Sequence, residues 1–501
     1  MRTEGRFANG LESPLRMARK SRRRTDKAAA PHARATAATR RARDAWTPQV
    51  RGTGRTKYLS LVDAIADAIA DGTLAQGESL PSQRALAASL RVNLATVTKA
   101  IAEAGRRGLV RTTPGGGTQV AGVPHAAPRT RAEASGAIDL SLNIPPAVIV
   151  KGVLDGALAG LAQRRIAEVA LGYAPLGGAP EDRAIGAQWI AARGFSPERS
   201  GVLLVQGAHE GLFAALAATT SPGDLVACEE LDYTGIRRIA EACRLKLVGV
   251  AVDGGGMRPD ALQAACAGRA PKAILCTPVT LNPTTATLDL ARRKAIVAIA
   301  RRAGATLIED DIYGHLAADP LPTLASLDPE RVIYVSSLSK CVAPGLRIGY
   351  LAAPERLMAR LNEALLVLGW TAPALHAALA RELVSSGAAK ECADAHRAEA
   401  LRRAELARRH LGSAFISGPL AAYHGWLRLP APWQDHDAAA ALQRQGVLVS
   451  PAHNFHVGES PVPAALRLSL GATPNLGTLA QALATIAATL GSRPRHAGAI
   501  V

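Results

Sequence analysis

Residues 332–350 read VIYVSSLSKCVAPGLRIGY, and the fold turns on how that stretch is understood. Val332 to Ser336 is a run rich in Val, Ile and Tyr that ends in small polar residues, the pattern of a buried strand. Lys340 follows just past the strand end, beside serine hydroxyls, with Arg347 seven residues further on. An amine so placed can condense with an aldehyde while serine and arginine hold a phosphate carried by that aldehyde. Standing alone, the stretch reads more readily as a solvated lysine in a turn. Its surroundings change that reading.

Upstream, strand-like runs at 202–206, 225–228, 247–252, 273–277 and 306–310 alternate with amphipathic stretches such as Glu210–Thr219 and Ala291–Ala303, the latter stopped by Gly304. The alternation predicts an α/β domain built on a mostly parallel sheet. In such sheets ligands bind beyond the carboxyl ends of the strands, and chemically unusual residues recur there. Gly207-Ala208-His209 opens a helix, whose free N–H groups and dipole suit a phosphate. Tyr233 can cover a flat ring, Asn282-Pro283 presents an amide from a rigid turn, and Asp310 and Tyr313 lie three apart in EDDIYG. Arg467, in the alternating run ALRLSLG, can offer a guanidinium fork to a carboxylate. Taken singly, Asp310 is equally an ion-pair partner, Tyr233 a core residue and Asn282 a turn former. Their common placement at strand ends, in this order, favours one site.

Over residues 138–490 these motifs resemble the fold-type I, pyridoxal phosphate-dependent aminotransferases. The resemblance implies a large domain with a mostly parallel sheet and a small C-terminal α+β subdomain. It implies Lys340 as the lysine that bonds the cofactor and Asp310 as the partner of the pyridine nitrogen, keeping the ring an electron sink. Tyr313 and Asn282 would bond the ring hydroxyl oxygen, and Tyr233 would stack on the ring; Lys340, Asp310 and Tyr313 are the implied catalytic residues. Ser337, Arg347 and the turn Gly207, Ala208 and His209 would hold the phosphate. Tyr173, in LGYAPLGGAPEDR, resembles a tyrosine that reaches the phosphate of a neighbouring subunit, and Arg467 resembles the clamp for a substrate carboxylate. Two positions depart from the family pattern: Thr285 replaces the glycine of NPTG, and His209 stands where glutamine is common.

Residues 57–121 carry a different pattern. Tyr58, Leu61, Val62, Ile65 and Ile69 recur at helical spacing. Ser82 is placed to cap a short helix ending near Leu90, and Asn93 to cap another whose apolar face is Val97, Ile101 and Ala104. Two helices joined by so short a turn predict a helix-turn-helix, followed by a β-hairpin wing at Leu109–Thr112 and Thr118–Val120. The motifs LPSQRALAASL, TVTKA and GLVRTTPGGGT resemble the GntR-family winged helix. That resemblance implies double-stranded DNA as a partner, with Arg84, Asn93, Thr96 and Thr98 at the interface and Gly117 and Thr118 on the wing. Leu94 stands where the family often has arginine, so a guanine contact worth roughly 1–3 kcal/mol of discrimination is missing.

The rest of the 501-residue chain connects or flanks these modules. Net charge is +18, yet residues 1–57 hold 16 Lys+Arg against 4 Asp+Glu, so two thirds of the excess lies in the first ninth of the chain. Residues 1–56 read as a basic, disordered arm, either a nucleic-acid contact or a solvated leader, with no apolar core of a signal peptide. Residues 122–137 read as a polar linker and 491–501 as a tail. Six cysteines show no CxxC pair and no metal-ligand spacing, which fits a reduced cytoplasm and no metal. No run approaches the ~18 apolar residues of a membrane span. A GntR winged helix followed by an aminotransferase-like domain is the architecture of MocR-type regulators. It implies a homodimer whose DNA binding responds to an amine or amino-acid effector; the alternative is an active aminotransferase carrying an autoregulatory DNA-binding domain.

Overall fold

Val332–Ser337 (β11) has all six residues buried, because helices cover both faces of the sheet in which it lies. In the computed structural model, residues 57–70, 77–106, 109–113, 117–120, 136–146, 151–163, 171–317, 320–418 and 421–492 are described, with a few isolated positions besides. The expected arm, nearly all of the linker and most of the tail lie outside them.

In the N-terminal module, helices Lys57–Ala70 (α1), Gln83–Leu90 (α2) and Leu94–Arg106 (α3) precede the antiparallel strands Val110–Thr113 (β1) and Gly117–Val120 (β2). The Ser82 hydroxyl accepts from the Ala85 N–H at 3.1 Å, and the Asn93 side chain accepts from the Ala95 N–H at 2.9 Å, so both expected caps form. Leu61, Val62, Ile65, Leu86, Val97, Ile101, Val110 and Val120 close one core among the helices and the wing.

Ile138–Asp139 (β3) opens the larger region. Its main sheet comprises Val202–Val205 (β4), Leu225–Glu229 (β5), Lys246–Val250 (β6), Ala273–Cys276 (β9), Thr306–Asp310 (β10), β11 and Gly349–Ala352 (β12), in the order β4-β12-β11-β10-β9-β5-β6. Six strands run parallel and β12 alone runs against both its neighbours. The single run expected at 247–252 is two pieces, β6 and Val252–Asp253 (β7), the latter paired antiparallel with Gly256–Met257 (β8). Alternate residues feed opposite layers: Val202, Leu204 and Tyr334 pack with helices Pro180–Ala191 and Leu290–Ala303, whereas Leu203, Val205, Ile333 and Val335 pack with Ala208–Thr219 and Glu355–Leu368.

A smaller antiparallel sheet joins Phe415–Ile416 (β13), His424–Arg428 (β14), Ser450–Pro451 (β16) and Ala465–Ser469 (β17), in the order β13-β14-β17-β16. Helices Ala388–Leu411, Asp435–Arg444 and Leu476–Gly491 cover it, and Val447–Leu448 (β15) pairs in parallel with β3. Leu140 sits in this smaller core beside Leu466, Leu468 and Leu483, so the start of the region is part of its small subdomain. Among the described residues, no helix is long and apolar enough to cross a membrane.

Candidate functional site

Because β4, β5, β9, β10 and β11 are parallel, the segments that follow them emerge at one edge of the sheet. These segments carry Gly207, Tyr233, Asn282, Asp310 with Tyr313, and Lys340. The Lys340 amine donates to the main-chain oxygen of Asn143, and Tyr423 fixes the lysine backbone by donating to its carbonyl at 2.7 Å. Burial lowers the amine to about 8, helped by the nearby Arg467 and Arg347 cations and opposed by Asp310. Burial likewise raises the Asp310 carboxyl to about 7, opposed by the Ile312 N–H and by Lys340. Burial thus acts on both groups in the same sense, drawing the acid up and the amine down toward neutrality.

Tyr313 is buried, and its hydroxyl oxygen accepts from the Asn143 side-chain amide at 2.6 Å. The same amide reaches His424 Nδ1 at 3.1 Å, while His424 Nε2 faces the Leu281 carbonyl at 3.3 Å. That pairing makes Nε2 the protonated nitrogen and Nδ1 the acceptor. Burial, reinforced by Arg467, lowers His424 to about 3, so the ring is neutral. With an amide proton directed at its oxygen, Tyr313 is left to donate its own proton elsewhere. Asn143 and His424 escaped the sequence reading. Asn143 lies in the irregular run SLNIPP and His424 in a short strand, and neither has local periodicity or motif spacing to mark it.

On the opposite side, Gly207 caps helix Ala208–Thr219 at φ +87° and ψ 170° without a side-chain cap. A Cβ there would sit 3.1 Å from the Arg347 guanidinium, which donates to the Gln206 carbonyl at 2.8 Å. The helix N-terminus and a guanidinium therefore lie side by side, a pairing suited to an anion. His209 packs edge-on against Tyr233, with ring centroids 6.1 Å apart, and burial and the Arg347 and Arg238 charges lower its pKa. Ser337 is buried at the end of β11, where its hydroxyl faces the Ile348 carbonyl at 2.9 Å and Ser339 at 2.9 Å. Ser339, not singled out from the sequence, is thereby the second hydroxyl of this loop.

Arg467 is 4% exposed on β17; it donates to the Ser141 carbonyl and to the Ser450 hydroxyl, the latter at 2.9 Å. Burial lowers it to about 10, and its Nε has no partner. Asn143 Oδ1 and Asn282 Oδ1 are also buried without a partner. Such orphaned atoms are costly unless a ligand satisfies them. Thr285, where the family has glycine, adopts φ +65°, so the turn keeps its left-handed conformation despite the side chain. Tyr173 stands apart from this cluster: it is 98% exposed, with Trp370 as its ring neighbour at 6.4 Å.

The donor set fits a phosphorylated aromatic aldehyde: an amine, a carboxylate behind it, a tyrosine hydroxyl, a cationic anion site and a second guanidinium. Among the described residues, no group of three or more His, Cys, Asp or Glu side chains could hold a metal.

In the N-terminal module, Arg84, Asn93 and Thr98 are exposed and Thr96 is half-buried. The Asn93 side chain is engaged as a helix cap, and Thr98 donates to Gln83 Oε1 at 2.8 Å, tying α3 to α2. Gly117 is exposed at φ +80°. Thr118 is turned inward at 7% exposure, its hydroxyl paired with Thr112 at 3.0 Å.

Residues 136–486 match the family model for aminotransferase class I and II, and residues 57–120 match that for bacterial regulatory proteins of the gntR family. The chain is 28% identical over 440 residues to the uncharacterized HTH-type transcriptional regulator YdeF of Bacillus subtilis, covering 87% of this chain and 95% of the relative. It is 30% identical over 365 residues to the HTH-type pyridoxine biosynthesis transcriptional regulator PdxR of Corynebacterium glutamicum, covering 70% and 77%. The α-aminoadipate aminotransferase LysN of Thermus thermophilus superposes with a TM-score of 0.66 at 23% identity, over 73% of this chain and 95% of that one, which shows the fold. The chain therefore belongs to the aminotransferase class I and II family and, through its GntR winged helix, to the DNA-binding transcriptional regulators of MocR type, with pyridoxal phosphate as cofactor.

Proposed function

We propose that this regulator is a cytoplasmic homodimer whose hold on DNA is set by an amine or amino acid that competes with Lys340 for the cofactor. The observation that carries this reading is Lys340 itself. Its amine bonds the Asn143 carbonyl, is lowered to about 8 by desolvation and feels both Asp310 and Arg467, on the same chain as a winged helix. The domain limits adopted are 57–121 for the DNA-binding module, 122–137 for the linker and 138–490 for the cofactor domain.

When bound, pyridoxal phosphate supplies an aldehyde for amine capture and a ring that withdraws electrons. Arg347, Ser337 and the N–H groups of Ala208 and His209, with Gly207 leaving room beside them, would hold its phosphate, and Tyr233 would cover one ring face. Asp310 would keep a proton on the ring nitrogen, and Tyr313, with Asn282, would bond the ring oxygen. Lys340 accepts or returns a proton near neutrality because its own pKa lies there. Arg467 has an unpartnered Nε to offer a carboxylate. Dimerisation is supported by exposed apolar side chains, Leu171 at 84%, Val367 at 86% and Tyr173 at 98%, the last beside Trp370. On DNA, α3 would enter the major groove, with Arg84, Asn93, Thr96 and Thr98 near it and Gly117 and Thr118 along the wing.

The test screens amino acids in one preparation for ketoacid release and for DNA retardation. We expect DNA affinity to change by about five- to a hundred-fold with an effector, equivalent to ~1–3 kcal/mol of coupling, while turnover stays slow. Brisk turnover with DNA affinity indifferent to every amine would make the protein an aminotransferase instead.

A further inference from the structure

Two cations of the site converge on one short stretch of backbone. The Lys340 amine donates to the carbonyl of Asn143, and the Arg467 guanidinium donates to that of Ser141. That stretch, residues 138–144, is where the chain enters the cofactor domain after the winged helix. It is otherwise anchored to the small subdomain: the Ile138 N–H bonds the Gly446 carbonyl at 2.8 Å, the Leu140 N–H bonds Leu448 at 2.7 Å, and the Ser469 N–H bonds the Leu140 carbonyl at 2.8 Å. The Asn143 side chain extends the same contact to Tyr313. A segment joined to the small subdomain on one side and to the reactive lysine on the other is placed to register what happens at that lysine.

We infer that residues 138–144 form a strap that reads the ligand: Lys340 grips it through Asn143 when its amine is free, and Arg467 grips it through Ser141 when no carboxylate is bound. This rests on the assignment of Lys340 as the cofactor-bonding lysine. While Lys340 is covalently engaged, its nitrogen has given up the two hydrogens that a free amine offers, and the grip on Asn143 is lost. An incoming primary amine reverses this. One carbon–nitrogen double bond, to lysine, is exchanged for another, to the ligand, two hydrogens pass from the ligand nitrogen to the lysine nitrogen, and no oxidant is needed. An α-amino acid changes both grips, a simple amine only one, and the strap thereby selects ligands that carry both an amine and a carboxylate. Because the strap opens the cofactor domain in chain order, after the DNA-binding module, a change in its hold is delivered at the chain's point of entry.

The test uses the full-length, cofactor-loaded protein and two reagents that displace the lysine from an aldehyde, methoxyamine and aminooxyacetate, only the second of which carries a carboxylate. The visible spectrum reports displacement, and hydrogen–deuterium exchange of residues 138–144 reports the strap. We expect methoxyamine to slow exchange in this segment at least threefold, and aminooxyacetate to give faster exchange at Ser141 and Leu142 than methoxyamine does. A converted spectrum with unchanged exchange would overturn the strap while leaving the lysine assignment intact. A spectrum inert to both reagents would overturn the lysine assignment and the strap with it.

Discussion

Gly207→Ala isolates the anion site in one atom. Glycine holds φ +87° and ψ 170° here, a region essentially closed to other residues, and occupying it with a side chain costs about 1–3 kcal/mol. The new methyl would also lie 3.1 to 3.2 Å from three atoms of the Arg347 guanidinium. A flexible side chain can yield, but in yielding it leaves the Gln206 carbonyl and turns from the helix N-terminus. A hydrogen bond to a charged group contributes roughly 1.5–3 kcal/mol, so losing that alignment should weaken cofactor binding about ten- to a hundred-fold. The assay pairs a urea midpoint with a cofactor titration followed by visible absorbance. Gly223→Ala is the control: its φ is also +87°, yet nothing lies within 4 Å of the added carbon, so it should lose stability and keep cofactor affinity. Wild-type cofactor affinity in the Gly207→Ala protein would refute the reasoning.

Three further outcomes are expected. Lys340→Ala should abolish the visible band of the lysine-bound cofactor without unfolding the chain; a band that survives borohydride in that variant would sink the assignment. Asp310 has its acid raised to about 7 by burial, so its stabilising effect is complete below the ordinary value near 3.8 and is lost as pH rises through about 7. Urea midpoints of cofactor-free protein should therefore fall between pH 4 and 8, and Asp310→Asn should reduce that slope, Glu309 retaining a share because burial raises it in the same direction. An unchanged slope would mean that Asp310 stays ionised in the folded protein. Arg467→Ala should weaken spectral titration by amino acids at least tenfold while simple amines titrate as before; equal effects on both would remove the carboxylate clamp.

The six parallel strands were legible because each is a short apolar run that ends in small or polar residues, and burial on both faces demands such runs. β12 was not. Its four residues GYLA begin with a glycine forced by close approach, since a Cβ on Gly349 would lie 2.8 Å from the Gly207 carbonyl carbon, and four residues are too few to show a period. Lys340, Asp310 and Tyr313 were legible through chemistry that stands out at strand ends, and Arg467 as a charge within an alternating apolar run. Asn143 and His424 were invisible for the opposite reason: an amide in a proline-flanked irregular run and a histidine in a strand meet only across 281 positions of sequence, when the start of the region folds into the small subdomain, and the amide then meets Tyr313. The DNA-binding module was read from its caps, Ser82 and Asn93, whose side chains leave a local signature.

The loop between β11 and β12 carries both the lysine and the arginine, and its ends are tied: Ser337 pairs with Gly349, and the Leu338 N–H bonds the Ile348 carbonyl at 3.1 Å. With Pro344 and Gly345 exposed at its tip, it has the look of a loop that evolution could lengthen freely. It cannot. One inserted residue must either slip β12, sending Tyr350 and Leu351 to exchange the layers into which they pack, or bulge the loop and part Lys340 from Arg347. Residues 338–348 act as a ruler between amine and anion site, and in comparing descendants of this chain, length in that loop should drift less than the identity of the residues at its tip.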